Sequence, residues 1–132
     1  MAPVTTYLLD THALLWWWFD SPELSPRARS LIADRQNRIV VSSASAWEIA
    51  IKFRAGKLPA VAPLIDDIAG AVRAAGFVEL SMSLTHANRA GLLPSEHRDP
   101  FDRMLAAQGL CDSMSIISCD PAISGLGAAV IW

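Results

Sequence analysis

Apolar runs of four to six residues alternate along the chain with longer stretches of helical spacing. Val4 to Leu9 reads as a first strand and stops abruptly at Asp10, Thr11 and His12. A strand buried on both faces reads as a run rather than an alternation. Ala13 to Phe19 is helix-compatible and holds three consecutive tryptophans, Trp16 to Trp18. Helical neighbours stand about 100° apart, so at least one of the three is expected to meet solvent, a partner chain or a neighbouring helix. Ser25-Pro26 gives an N-cap and a first-turn proline for a helix to about Arg35. Ile39 to Val41 is a second strand. Helical spacing then resumes at Ser45, with Trp47, Ala50, Ile51 and Arg54 three and four apart and Gly56 as the stop.

Pro59 to Pro63 reads as a linker, and Leu64 to Ala75 as a helix closed by Gly76. Phe77 to Leu80 is the third strand, and Ser83 caps a short helix through Ala90. After an irregular polar stretch, Leu93 to Arg98, Asp99-Pro100 opens a helix to about Leu110 with Phe101, Met104, Leu105 and Cys111 on one stripe. Ser115 to Ser118 is a strand, Asp120-Pro121 a turn or short helix, and Ala129 to Trp132 a last strand. Strands alternating with helices require crossover connections. The fold class is therefore α/β, a central parallel sheet with helices on both faces.

Composition narrows this picture without changing it. At 132 residues with 52% hydrophobic and 18% charged positions, the chain suits one globular domain, 1–132. No apolar run reaches the roughly 18–20 residues of a membrane span, and no signal peptide is apparent. Cys111 and Cys119 suit neither a disulfide framework nor a zinc motif, so the expected setting is reducing and cytoplasmic. The net charge of −2 does not advertise nucleic-acid binding. Local basic groups (Lys52, Arg54 and Lys57, then Arg98 and Arg103) would still suit a phosphate substrate beside an acidic pocket. Solvated helix faces explain them equally well.

Four acids fall at strand ends or helix starts: Asp10, Glu48, Asp102 and Asp120. Most have an ordinary structural explanation. Ser45-Ala46-Trp47-Glu48 matches a capping box. Asp99 and Asp120 each precede a proline as N-caps do, and Asp102 favours the helix dipole. Taken together they say more, because in a parallel sheet all strands end on one edge and every following helix begins there. Several carboxylates in one crevice repel one another unless a cation intervenes. A hard divalent ion, Mg²⁺ or Mn²⁺, suits an all-oxygen donor set better than zinc does.

At this point the ordered motifs carry a resemblance. Leu8-Leu9-Asp10-Thr11-His12, Ser45-Ala46-Trp47-Glu48-Ile49-Ala50-Ile51-Lys52, His97-Arg98-Asp99-Pro100-Phe101-Asp102-Arg103-Met104-Leu105-Ala106-Ala107-Gln108 and Ser118-Cys119-Asp120 resemble the PIN-domain ribonucleases. Within that family they are most similar to VapC-type toxins of toxin–antitoxin modules. The resemblance implies a PIN-like three-layer α/β/α sandwich with a mostly parallel sheet of four or five strands. It implies a Mg²⁺- or Mn²⁺-dependent endoribonuclease in which Asp10, Glu48, Asp102 and Asp120 form an acidic quartet. Asp10 would be the central metal ligand, and Asp120 would support a second, weaker metal site. Water activated at the metal would attack a phosphodiester in line, leaving 5′-phosphate and 3′-hydroxyl ends. Thr11 and Ser118 resemble the flanking hydroxyl residues, and Asp99 is an N-cap with a possible supporting role. The implied partners are RNA, a cognate antitoxin protein and a second copy of the chain, with Trp16 to Phe19 as a candidate interface and no membrane involved.

Rival readings remain. A metal-free ribonuclease would pair His12 with His97 as acid and base and leave 2′,3′-cyclic phosphates, with His86 structural. A phosphorylated receiver- or phosphatase-like domain fits poorly, since His12 stands where a second aspartate is wanted. A non-enzymatic Rossmann-like interaction module would leave every acid a cap. Dinucleotide binding is disfavoured, because no glycine-rich loop follows the first strand.

Overall fold

The computed structural model describes residues 4–132. The strands are β1 (Thr6–Leu9), β2 (Arg38–Ser42), β3 (Val78–Leu80), β4 (Ser115–Ile117) and β5 (Val130–Ile131). The helices are α1 (Thr11–Trp18), α2 (Pro26–Ala33), α3 (Ser43–Arg54), α4 (Ile68–Ala74), α5 (Leu84–Leu92), α6 (Pro100–Cys111) and α7 (Pro121–Gly125). The stretch read as a linker begins with a 3₁₀ turn, Pro59–Val61, and a second one, Ile65–Asp67, leads into α4. Gly56 and Gly76 stop α3 and α4 as expected, both at positive φ (77° and 80°), where a side chain would be strained.

The sheet runs β3-β2-β1-β4-β5, and every neighbouring pair is parallel. Side chains alternate across it and sort the core into two layers. Leu9, Ile39, Val41 and Ile117 face α1 to α4, whose Leu14, Ile32, Ile49 and Val72 pack on them. Leu8, Val40 and Ile116 face α5 to α7, meeting Ala90, Leu105, Ala106 and Ile123. The result is a three-layer α/β/α sandwich. A Cβ on Gly109 in α6 would stand 3.0 Å from the Ile116 Cδ1, so tight that Ile116 would have to give way, and α6 therefore lies directly on β4. No helix among the described residues is long and apolar enough to cross a membrane.

Two helices present different faces from those their apolar spacing suggests. On α3 the stripe through Trp47 and Ile51 is the exposed one, at 54% and 45%, while Ala44, Ser45, Glu48 and Ile49 are buried. Apolar residues lie on both sides of this helix, so periodicity alone does not say which side turns inward. On α6 the buried run is Leu105 to Gly109, and Phe101 and Met104 are half-buried. The three tryptophans of α1 are all half-buried against the core. Trp16 meets Trp132 edge to face at 5.7 Å, and Trp17 lies 6.1 Å from Phe77. Phe19 is the exposed residue of that segment, at 41%.

β1 is the middle strand and Leu8 is fully buried within it. Leu8→Ala is expected to cost about 2–5 kcal/mol, a lost transfer term plus a cavity between two stiff layers. Urea unfolding followed by circular dichroism measures it; a loss under about 0.5 kcal/mol would contradict the packing described.

Candidate active site

From β1 the chain passes to β2 and β3 on one side of the sheet, then returns to β4 and β5 on the other. Connections therefore diverge between β1 and β4, and at such a switch point the carboxyl ends of two strands frame a crevice. Asp10 follows β1 there, its amide donating to the Ile117 carbonyl at 3.2 Å. Ser118 follows β4, with its amide donating to the Ile131 carbonyl at 3.1 Å. Asp10 is buried, 4% exposed, and its Oδ1 accepts from the Ala13 amide at 2.7 Å, so it is also the N-cap of α1. Burial pushes the Asp10 carboxyl pKa up, and the charge of Asp120 adds to this. The Ser118 hydroxyl, the Ala13 amide and His12 partly offset it.

Asp102 lies in the first turn of α6, where Asp99 caps the Phe101 and Asp102 amides at 2.9 and 3.2 Å. Its pKa is also raised, by burial first and then by Asp99 and Asp120, against a hydrogen bond with His97. His97 Nε2 stands 2.8 Å from Asp102 Oδ2. Asp120 caps α7 through the Ala122 amide at 2.9 Å, and the Ser118 hydroxyl accepts from the Asp120 amide at 3.0 Å. Asp120 thus stands within electrostatic reach of both Asp10 and Asp102.

Glu48 reaches its place differently. The expected capping box is overturned: α3 begins two residues earlier, with Ser42 as N-cap accepting from the Ala44 amide at 3.0 Å. Ser45 lies inside the helix, and its hydroxyl accepts from Thr11 Oγ1 at 3.0 Å, tying α3 to the start of α1. Glu48 sits one turn further in, 5% exposed, with Oε2 held by Lys52 Nζ at 2.6 Å. Lys52 is therefore committed to a carboxylate rather than free for phosphate, and the i,i+4 spacing already permitted that pairing. The other oxygen of Glu48, Asp102 and Asp120 has no hydrogen-bond partner among the described residues.

The remaining chemistry-bearing residues divide clearly. Arg103, read from sequence as a candidate phosphate contact, spends its guanidinium on backbone carbonyls. Arg54 and Arg98 are exposed, and Arg98 lines a hollow with Trp47 and Phe101, whose rings meet edge to face at 5.1 Å. His12 is exposed and stacks on Trp16 at 5.4 Å. His86 is structural, completing a capping box with Ser83 and contacting Asp112 at 3.1 Å. Both cysteines are free thiols. Among the described residues no three His, Cys, Asp or Glu side chains form a ready-made metal cage. The donor set is nevertheless one of hard oxygens whose charges oppose one another, which fits a divalent cation of the Mg²⁺ class.

The PIN domain family model matches residues 7–128, which takes in β1 from Tyr7, the strands β2 to β4 and all four acids. The chain belongs to the PIN domain family. Part of this PIN-domain chain is 41% identical over 69 residues to Ribonuclease VapC16 of Mycobacterium tuberculosis. That alignment spans 51% of the chain and 49% of the relative, about half the length of each. Its fold is similar to that of VapBC2 from Rickettsia felis, a structure bound to a promoter DNA fragment. The TM-score is 0.70 at 15% identity, covering 96% of this chain and 98% of that one. A toxin–antitoxin complex from Klebsiella pneumoniae gives a TM-score of 0.65 at 16% identity, covering 96% of each.

A carboxylate whose native pKa is raised weakens the metal-free fold. Between the ordinary aspartate pKa of about 3.9 and the raised native value, the native state holds more protons than the unfolded chain. Stability therefore falls as pH rises through that window and levels off above it. Asn retains the cap acceptor without the charge. Asp10→Asn should raise stability in EDTA at neutral pH by about 0.5–2 kcal/mol, the usual size of a stabilising substitution. The gain should vanish below the unfolded pKa. Thermal melts across pH check this, and a variant less stable than wild type at pH 7.5 would contradict it.

Proposed function

We propose that the chain is a metal-dependent endoribonuclease toxin of a toxin–antitoxin module, with Asp10, Glu48, Asp102 and Asp120 holding Mg²⁺ or Mn²⁺. The observation that carries this reading is the buried Asp10 at the switch point between β1 and β4, with the half-buried Asp120 close enough to set its charge against both Asp10 and Asp102. Family membership and the partial identity to a ribonuclease support it. Asp10 and Asp102 are the principal ligands, since theirs are the carboxyls most in need of a counter-charge. Asp120 closes the site from the β4 side. Glu48, held by Lys52 through Oε2, would offer its other oxygen to the ion or to a water. The bound ion supplies charge neutralisation and Lewis-acid polarisation of the phosphodiester. The chain supplies the orientation: Thr11 and Ser45 fix α3 against α1, Ser118 steadies the turn from β4 to Asp120, and Asp99 fixes the first turn of α6.

The substrate of this reading is RNA, and the protein partner is an antitoxin that covers the acids. The chain as a whole, residues 1–132, acts as one PIN domain in the cytoplasm. A homodimer completes the proposal, but the tryptophan segment is the weaker candidate for its surface because Trp16 to Trp18 are already half-buried. Trp47 and Ile51 on α3, with Leu84 (91% exposed) and Leu92 (72%) on α5, offer more uncovered apolar area. Ala44 and Trp47 of α3 and Ala87 and Gly91 of α5 line one hollow, with Phe101 and Met104 of α6 between the two helices. The double variant Leu84→Glu/Leu92→Glu should stay folded and shift the chain to monomer in light scattering. An unchanged mass would move the interface elsewhere.

The metal-free reading, with His12 and His97 as acid and base, keeps one observation on its side: the Asp102 carboxylate contacts the His97 ring and would orient it for proton transfer. End chemistry separates the two. Under the metal reading, Glu48→Gln and Asp102→Asn fold normally and cut an RNA pool about 10²-fold or more slowly. Wild-type cutting stops in EDTA, returns with Mn²⁺ and leaves 5′-phosphates. Cyclic phosphates, or cutting that survives chelation, would replace it with the histidine mechanism.

A further inference from the structure

One side chain outside the acidic set is tied into the frame more completely than any other. Every N–H of the Arg103 guanidinium has a main-chain acceptor. Nε donates to the Ala90 carbonyl at 3.0 Å. Nη1 donates to Ser95 and His97 at 3.3 and 3.0 Å, and Nη2 to Gly91 and Leu93 at 3.3 and 2.8 Å. A guanidinium has five donors in a fixed planar fork, so this set uses all of them. The acceptors are the last turn of α5, where carbonyls lack helical partners, and the loop that follows it. That loop makes few bonds of its own: the Ser95 amide donates to the Leu93 carbonyl, and the His97 amide to the Ser95 hydroxyl at 3.1 Å.

The clamp ends on the residue that matters for the site. The Arg103 guanidinium holds the main chain of His97, and the ring of His97 contacts Asp102, which precedes Arg103 on α6. The circuit is closed, leaving two adjacent residues of one helix and meeting again at the loop. A carboxylate accepts only, so the 2.8 Å contact requires Nε2–H to donate to Oδ2. This immobilises one oxygen and leaves Oδ1 without a hydrogen-bond partner among the described residues.

We propose that Arg103 is a positioning residue for the acidic site, which by bonding the carbonyls of Ala90, Gly91, Leu93, Ser95 and His97 holds His97 against Asp102 and so sets the direction in which that carboxylate meets a cation. The effect on the cation rests on the metal-dependent reading above; the effect on His97 does not. Lysine keeps the charge but presents three donors from a single point, so it cannot replace the fork.

Two measurements on Arg103→Lys, His97→Ala and the double variant test this. Without metal, the ¹⁵N spectrum of the His97 ring at pH 7.5 reports its tautomer. Wild type should show a fixed Nε2–H form, and Arg103→Lys an averaged ring. Calorimetric titration with Mn²⁺, in the absence of RNA, should show each single variant binding about 10- to 100-fold more weakly, the usual loss when a ligand's supporting hydrogen bond goes. The double variant should be no weaker than the poorer single one, because both act through the same contact. An unchanged His97 spectrum in Arg103→Lys, or Mn²⁺ losses that multiply in the double variant, would overturn the proposal. His97→Ala alters a loop side chain, so unchanged Mn²⁺ binding there would overturn it even if Arg103→Lys did not fold. A wild-type chain that binds no Mn²⁺ would instead sink the metal reading and with it the cation step, while the ring spectrum still decides whether Arg103 positions His97.

Discussion

Because β1 pairs with β2 on one side and β4 on the other, the chain leaves it at the one place where the sheet's connections part. No crossover helix can lie over that gap from both directions, and a crevice results. The Asp10 amide closes the β1–β4 ladder by donating to Ile117, so the first acid is placed by the sheet's own hydrogen bonding. Ser118 and Asp120 arrive from β4, and Asp102 from the helix lying over it. The crevice is thus a consequence of strand order before it is a matter of side chains.

What fills the crevice costs the fold something. Asp10 and Asp102 are pushed toward protonation by burial, and their neighbours add like charge. An apolar set of equal volume would pack there without that penalty. The carboxylates are tolerated because each has a second employment: Asp10 and Asp120 cap helices, Asp102 is paired with His97, and Glu48 is paired with Lys52. The capping and catalytic explanations of these acids are therefore compatible. A helix start needs an acceptor, a cation needs a donor oxygen, and one carboxylate has two oxygens.

Polar contacts also decide how the helices sit. On α3 the inward face carries Ser45 and Glu48 beside Ala44 and Ile49, while Trp47 and Ile51 face outward, a choice that the apolar pattern leaves open. The Thr11–Ser45 hydroxyl bond crosses between helices and fixes that orientation. Arg103 does the same for the stretch after α5, where the apolar pattern is interrupted and carbonyl satisfaction sets the path.

The alternation of apolar runs with helical stretches was enough to read an α/β sandwich with a parallel sheet, and prolines, serines and glycines located most helix ends. These are local properties: they depend on the residues within one element and its caps. The placing of Asp10 just after a strand and of Asp102 in the first turn of a helix was legible for the same reason, while Glu48 lies inside α3 and not at its start. The inward face of α3 was not, because two apolar stripes compete on one helix and the choice depends on what α1 presents to it. Ser45 and Glu48 look like a capping box in sequence, yet Ser42 caps the helix and Ser45 bonds across to Thr11. Lys52 and Arg103 read equally well as phosphate contacts or solvated charges. Their actual partners, a buried carboxylate and five carbonyls, are fixed by how α3, α5 and α6 pack around the β1–β4 crevice, and no spacing along the chain encodes that distance in space.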